Sequence, residues 1–179
     1  MTDARALEDL LGRLTRLLAG VARGGALNPV QQAALDYLAR ANRFSRQPSH
    51  VADYLAATRG TVSQTLKTLM HKGLVAEEPA SGDRRVVRLA LTPAGRAAAA
   101  EAGDLRAALA DLPKASRDAL AVGLPPLLAM LIARRGGRSF GRCRSCRHHR
   151  NDGGVPRCAL LKLVLAPDEP DQLCFEHSA

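Results

Sequence analysis

The residues best suited to chemistry are four cysteines, Cys143, Cys146, Cys158 and Cys174, spaced C-x2-C-x11-C-x15-C in the last quarter of a 179-residue chain that has no other thiol. A C-x2-C pair can present two sulfurs to one centre across a tight turn, and the other two can return by longer loops. Four unligated cysteines on a basic tail are the plainest alternative, but confinement to one short stretch argues against chance. Disulfides fit poorly with the reducing compartment argued below. A redox C-x2-C of thioredoxin type requires a βαβ setting that is missing. Metal remains. Structural zinc uses two short knuckles, whereas only the first exists here; the widely split second pair suits a cubane with four corner irons. A [4Fe–4S] cluster is therefore the expected cofactor, with zinc the alternative.

The segment 136–179 is rich in Gly, Pro and Asp and poor in large apolar groups. A piece of about 40 residues seldom folds alone without metal or disulfides. Four thiolates on a zinc-type centre would supply on the order of 10–16 kcal/mol. Arg134, Arg135, Arg138, Arg142, Arg144, Arg147 and Arg150 surround the first knuckle. They suit either an anionic thiolate centre or DNA phosphates. His148, His149 and His177 read as surface or outer-shell groups rather than ligands. The pattern CRSC…CAL…CFEH resembles, in spacing and in the residues after Cys158 and Cys174, the small cluster modules attached to some glycyl-radical enzymes.

The elements that must position this tail follow from composition and period. Apolar residues make up 46% and aromatics 3%, with no tryptophan, so the core is aliphatic and suits packed helices. The net charge of +9 favours a polyanionic partner. The start MTDARALEDLLGRL carries acids among its leucines and does not read as a signal peptide. No run approaches about 18 consecutive apolar residues. The expectation is a cytoplasmic protein with no membrane partner. Nor does the sequence offer a paired acid/base site, a phosphate-cradling glycine loop or an activated nucleophile, so an enzyme is not expected.

Leu7, Leu10, Leu11, Leu14, Leu17, Leu18 and Val21 recur at helical steps, ended by Gly24-Gly25. Pro29 opens a second helix with Leu35 and Leu38 inward. RFSRQP connects to a short third helix in SHVADYLAAT. The fourth, GTVSQTLKTLMHKG, has Thr58 as N-cap and Gly73 as its closing C′ residue. Two β-prone runs follow, LVAEEP and VVRLALT, separated by the charged tip ASGDRR; Val87, Leu89 and Leu91 alternate with Val86, Arg88 and Ala90 as in a half-buried strand. Thr92-Pro93 starts an alanine-rich helix through about Leu109. LPKASRDALAV begins another, which Pro125-Pro126 is expected to kink or restart.

Helix, turn, helix and a basic-tipped hairpin form the winged helix-turn-helix order, mainly α with a small β-wing. The first helix of the pair braces the second, which presents Arg59, Thr61, Ser63, Gln64 and Lys67 to the major groove. Gln pairs with adenine, Thr meets a thymine methyl, and Arg and Lys reach guanine or phosphate. Arg84 and Arg85 at the wing tip suit a narrow minor groove. One such head makes few contacts, so two related by a two-fold, with half-sites about 34 Å apart, are expected.

The stretch YLAATRGTVSQTLKTLMHKGLVAEEPASGDRRVVRLALTPAG resembles the core of the MarR family of bacterial transcriptional regulators, most specifically in Asp83, Arg85, Leu91, Thr92 and Gly95. The resemblance implies a homodimer with intertwined terminal helices binding a pseudo-palindrome of double-stranded DNA, with Asp83 fixing wing arginines by salt bridge and Arg85 touching DNA. Pro125-Pro126 departs from the continuous last helix usual in the family. On this reading residues 1–135 are a MarR-like domain, with dimerisation helices at about 3–23 and 93–135 and a DNA-binding core at 47–96. Residues 136–179 are a loop-rich, four-cysteine metal- or cluster-binding tail. The function expected is a regulator, a repressor by preference, whose tail senses redox or iron status; a small-molecule effector between the dimerisation helices is compatible with it. The alternative is a constitutive DNA binder with a zinc-stapled protein-docking module.

Overall fold

The computed structural model describes residues 3–21, 27–78, 87–101 and 104–178. Helix α1 (Ala4–Val21) is followed by α2 (Pro29–Arg40), α3 (Pro48–Tyr54) and α4 (Arg59–His71). Strands β1 (Val75–Glu78) and β2 (Arg88–Leu91) pair antiparallel, with Val75 opposite Leu91 and Glu78 opposite Arg88. Then come α5 (Pro93–Ala100), α6 (Asp104–Asp111) and α7 (Lys114–Arg134).

Local chemistry sets these boundaries. Asn28 caps α2 in a capping box: its Oδ1 accepts the Gln31 N–H at 2.9 Å, and Gln31 Oε1 accepts the Asn28 N–H at 3.2 Å. Thr58 caps α4, its Oγ1 accepting the Thr61 N–H at 3.1 Å, and Gly73 ends that helix at φ +69°. Thr92 caps α5 and donates its hydroxyl to the Gly73 carbonyl at 2.6 Å, tying the two helix ends together. Gly95 is obligatory for a different reason: a Cβ there would sit 1.9 Å from the Leu74 carbonyl oxygen. Leu35, Leu38, Val51, Val62, Leu66, Leu69, Val75 and Leu89 are buried together, an aliphatic core shared by α2, α3, α4 and the hairpin.

Three expectations are corrected. The alanine-rich helix does not run to Leu109; it stops at Ala100, and α6 begins at Asp104. Gly103 was the overlooked signal, a poor helix former inside a strongly helical run. Pro125 and Pro126 do not restart the helix: they lie inside α7, which continues through them to Arg134. The carbonyls left without N–H partners, those of Ala121 and Val122, belong to exposed residues, where water serves them. Val87 precedes β2 and is 39% exposed, so the buried alternation is Leu89 and Leu91 alone.

The outer helices differ from this core. Leu7, Leu10, Leu14 and Leu17 of α1 are exposed, as are Leu120, Leu124, Leu127, Leu128 and Leu131 of α7, which has no buried residue. Contrary to the sequence expectation, α7 has the length and apolar content of a membrane span, with a mean hydropathy of 1.4. The alanines, leucines, Val122, Met130 and Ile132 after Asp118 raise that average, while Gly123, Pro125 and Pro126 interrupt the run of large apolar groups.

The C-terminal module is not merely loops. Strand β3 (Gly141–Arg142) pairs antiparallel with β7 (Leu173–Cys174), and β4 (His149–Asp152), β5 (Val155–Cys158) and β6 (Leu163–Val164) form a three-stranded sheet. The β4–β5 turn is Gly153-Gly154 at φ +60° and +89°, the left-handed pair that a two-residue hairpin requires.

Candidate nucleic-acid interface and thiol cluster

Helix α4 divides its residues sharply. Val62, Thr65, Leu66 and Leu69 are buried, whereas Arg59, Gly60, Thr61, Ser63, Gln64 and Lys67 face solvent. A period of 3.6 puts Gly60, Ser63, Gln64 and Lys67 along one stripe. Thr61 is partly committed: its Oγ1 lies 2.8 Å from Thr58 Oγ1, which leaves its methyl as the group to offer. Arg59 reaches back toward Asp53 of α3 at 3.8 Å, both side chains substantially exposed. That pair orients the guanidinium more than it stabilises the fold. Ser63, Lys67 and Arg59 line a cavity of about 210 Å³ with Pro48, Ser49, Glu77 and Leu89, between α4, the start of α3 and the hairpin. Asp83, Arg84 and Arg85 lie outside the described residues.

The four cysteines are all buried and none is in a disulfide. The first pair sits on a tight turn in which the Cys146 N–H donates to the Cys143 carbonyl at 3.0 Å. Cys158 ends β5 opposite His149, and Cys174 ends β7 opposite Gly141. Burial first, and then the neighbouring Cys174, Cys158 and Cys146, push the Cys143 thiol up to about 12. Burial also raises Cys174, opposed by hydrogen bonds from Asn42, from the Glu176 backbone and from Ser45. The Ser178 N–H points at Cys146 Sγ from 3.5 Å. Among the described residues, no three or more His, Cys, Asp or Glu groups are arranged to hold a single metal ion.

The surrounding histidines and arginines take mixed roles. His177 packs against Gly141, where a Cβ would meet its ring at 2.5 Å, and its Nε2 lies 3.1 Å from Ser145 Oγ. His177 Nδ1 and His149 Nε2 are buried without hydrogen-bond partners. Arg144 pairs with Asp171 at 2.6 Å and Arg138 with Glu176 at 3.4 Å, while Arg142 and Arg147 remain exposed.

The module is seated on the connector between α2 and α3. Leu173 pairs in parallel with Ala41, and its carbonyl accepts the Asn42 N–H at 2.9 Å. Phe175 donates its N–H to Ser45 Oγ at 2.8 Å and stacks on His50 with centroids 3.7 Å apart. Phe140 meets Tyr37, Tyr54 and Phe175 edge-on at 5.1–5.7 Å. Arg43 bridges to the buried Glu169 at 3.3 Å and donates to the Val164 carbonyl at 3.0 Å. Phe44 packs against Cys143, Cys158 and Leu165. Every aromatic residue of the chain, two Tyr and three Phe, thus lies at this seam.

The helix order, the capped and polar-faced α4 and the hairpin have close counterparts among known proteins. The model of the MarR family matches residues 27–86. The structure superposes on Streptococcus pneumoniae FabT in complex with DNA (TM-score 0.61, 23% identity, covering 74% of this chain and 99% of that one). Escherichia coli MarR in its apo form gives 0.53 at 20% identity, covering 72% and 98%. Bordetella bronchiseptica BpsR, whose DNA binding is regulated by 6-hydroxynicotinic acid, gives 0.53 at 23% identity, covering 68% and 98%. The fold is the MarR winged helix. No curated protein sequence matches the chain. FabT and MarR are spanned almost end to end while leaving about a quarter of this chain uncovered, roughly the length of the cysteine module.

Within the MarR fold, the five α4 residues expected to read DNA emerge on one accessible surface, and the four cysteines emerge together in a separate body. The sequence reading did not find the residues that join them, Asn42, Ser45, His50 and Phe175. Their one available signal was the scarcity of aromatics, which makes Phe44, Phe140 and Phe175 informative wherever they fall.

Proposed function

We propose that the chain is a homodimeric, sequence-specific regulator of MarR type that binds double-stranded DNA, acts as a repressor in the cytoplasm, and carries a thiolate-bound centre whose occupancy reports redox or iron status. The observation that carries DNA binding is the split of α4 into a fully buried aliphatic face and an accessible face of Arg59, Ser63, Gln64 and Lys67, in a chain of net charge +9. Such a face has no internal work to do, and its side chains are the types that read base edges. No catalytic role is assigned. Binding to duplexes selected from a randomised pool tests the reading: specific retention with a steep salt dependence is expected, and equal, weak affinity for every sequence would reject it.

Dimerisation follows from the uncovered leucines of α1 and α7. Leu109, Leu120, Leu124, Leu127, Leu128 and Leu131 line an apolar groove of about 670 Å³ between α6 and α7. A second copy is its occupant, because two-fold related heads are what a palindromic site requires. The same face explains why α7 is apolar enough to pass for a span without entering a membrane. A second cavity of about 350 Å³, lined by Gln32, Asp36, Arg40, Glu101, Leu105 and Arg106 among others, lies between the head and α5–α6 and would accept a small-molecule effector.

The alternative, a constitutive binder with a zinc-stapled docking module, draws on exposed Val155, Leu160, Leu161 and Val164 on the module. Metal analysis of anaerobically purified protein separates the two: iron with acid-labile sulfide supports sensing, and one colourless zinc per chain supports docking.

A further inference from the structure

The arginines of the module are unevenly committed. Arg144 is held by Asp171, Arg138 by Glu176 and Arg157 by Asp152 at 3.5 Å. The Arg147 side chain has no such partner among the described residues. It lines an open cavity of about 340 Å³ that three separate segments of the module build together. Arg138 and Ser139 come from before β3, Arg147 and His148 from after the Cys143–Cys146 turn, and the rest from residues 175–178. Leu160, 45% exposed, adds an apolar wall.

These walls hold donors in excess of acceptors. Like the Arg147 guanidinium, the His148 ring and the Ser178 hydroxyl make no hydrogen bond among the described residues. Glu176 is the single carboxylate among the lining residues, and Arg138 already neutralises it at 3.4 Å. One guanidinium charge is therefore left unbalanced in a concave site, where an anion would offset it. The backbone behind these donors is pinned. The Arg147 N–H donates to the Ser178 carbonyl at 2.9 Å, and the Arg138 guanidinium lies over the Phe175 ring at 4.3 Å. A guanidinium fork takes carboxylate or phosphate oxygens in bidentate fashion.

We propose that this cavity is a binding site for a small organic oxyanion, its carboxylate or phosphate head held by Arg147, His148 and Ser178 and its carbon body against Leu160. The volume lies at the small end of ligand sites, which span about 300–1,000 Å³. The site is separate from the cavity beside α5–α6, and it requires neither DNA nor a metal. Its occupancy reaches the winged-helix head through Phe175. That ring forms one wall, stacks on His50 of α3 at 3.7 Å, and belongs to a residue whose N–H donates to Ser45 of the connector. A ligand that joins the three segments thereby steadies the surface on which α3 rests.

The experiment titrates the full chain by calorimetry with sodium phosphate and, separately, sodium butanoate, with chloride balancing ionic strength. Saturable binding of at least one is expected; phosphate alone assigns a phosphorylated ligand and butanoate alone a carboxylate. Arg147→Gln should weaken binding roughly tenfold or more, the loss of a charge-assisted hydrogen bond. Arg142→Gln removes an exposed charge outside the cavity and should leave affinity unchanged. At saturation, amide hydrogen exchange should slow across 138–148, 175–178 and α3 in wild type, and not in Arg147→Gln at the same anion concentration. Both variants alter exposed side chains, and an unchanged exchange pattern without anion confirms that each is folded. No saturable binding of either anion, or equal weakening in the two variants, would overturn the site. Saturable binding that leaves α3 exchange unaltered would overturn the link to the head.

Discussion

The winged-helix head and the cysteine module are built on opposite principles. The head, residues 27–101, buries a continuous aliphatic set in which Leu35, Val51 and Leu69 have no exposed surface. Its caps and its required glycine are internal to it, so it has the means to fold by itself. The module buries Cys143, Cys158 and Leu165, with Phe44 of the head as one of its few apolar neighbours. Its sheets are two or three strands of at most four residues, below what is independently stable in water. Two regions of one chain therefore draw on different sources of stability: hydrophobic burial in one, docking and, on the function proposed above, thiolate ligation in the other.

The largest test breaks the module and leaves the head. Cys158→Ser removes one of the four proposed thiolate ligands, and the stabilisation at stake is on the order of 10 kcal/mol if the energetics match those of zinc-type sites. Amide exchange should lose its protection across 138–178 while α2, α4 and β2 keep theirs. Loss of protection in both regions together would show that the head depends on the module. The converse test strikes the head: Gly95→Ala forces a Cβ against the Leu74 carbonyl and should cost roughly 3 kcal/mol, the upper end for overpacking against a backbone that has little freedom to shift. Urea unfolding at constant metal occupancy measures it, and a loss below about 1 kcal/mol would mean that α5 slides to accommodate the methyl.

The seam between the two regions is sharpened by a smaller measurement. His50 and Phe175 stack at 3.7 Å with planes 16° apart, and such ring pairs contribute about 0.5–1.5 kcal/mol beyond their buried area. A double-mutant cycle of His50→Ala and Phe175→Ala should show a coupling energy in that range. Additive losses would mean that the two rings share a location without an interaction of their own.

What the sequence disclosed divides along the same line. Thr58, Gly73 and Thr92-Pro93 act within a few residues of themselves, so helix ends and the hairpin strands were legible. The period of Val62, Leu66 and Leu69 placed the polar face of α4 by exclusion. The cysteine spacing raised the expectation of a centre, and the structure buries all four thiols in one module. The docking did not show, because the hydrogen bond from Phe175 to Ser45 joins residues 130 apart and no local pattern encodes it. The β4–β5 hairpin was a signal missed rather than hidden, since Asn-Asp-Gly-Gly is turn chemistry. The break after Ala100 was obscured by alanine, whose helix preference outweighs the nearby Gly103 in any window average.

The smallest expected effect is a pH dependence confined to the seam. Burial lowers the pKa of His50 below its ordinary value of 6.5; the Ser45 carbonyl, Asp53 and Glu176 oppose that shift, and Arg138 adds to it. Its Nδ1 is buried without a partner, so the neutral ring is the form that fits. Because the folded state binds this proton less readily than the unfolded chain, His50's contribution is fully present above pH 6.5 and falls away as the pH drops below it. The loss is limited by the size of the shift and should be modest for a single ring at the edge of the core. His50→Phe keeps the stack on Phe175 and removes the titration. The difference in unfolding free energy between wild type and this variant, measured from about pH 7.5 to about 5.5, should therefore grow in favour of the variant as the pH falls. Other titrating groups cancel in that difference. A flat difference would place the His50 ring in contact with water in solution, and the seam would then be looser than the stacking distance implies.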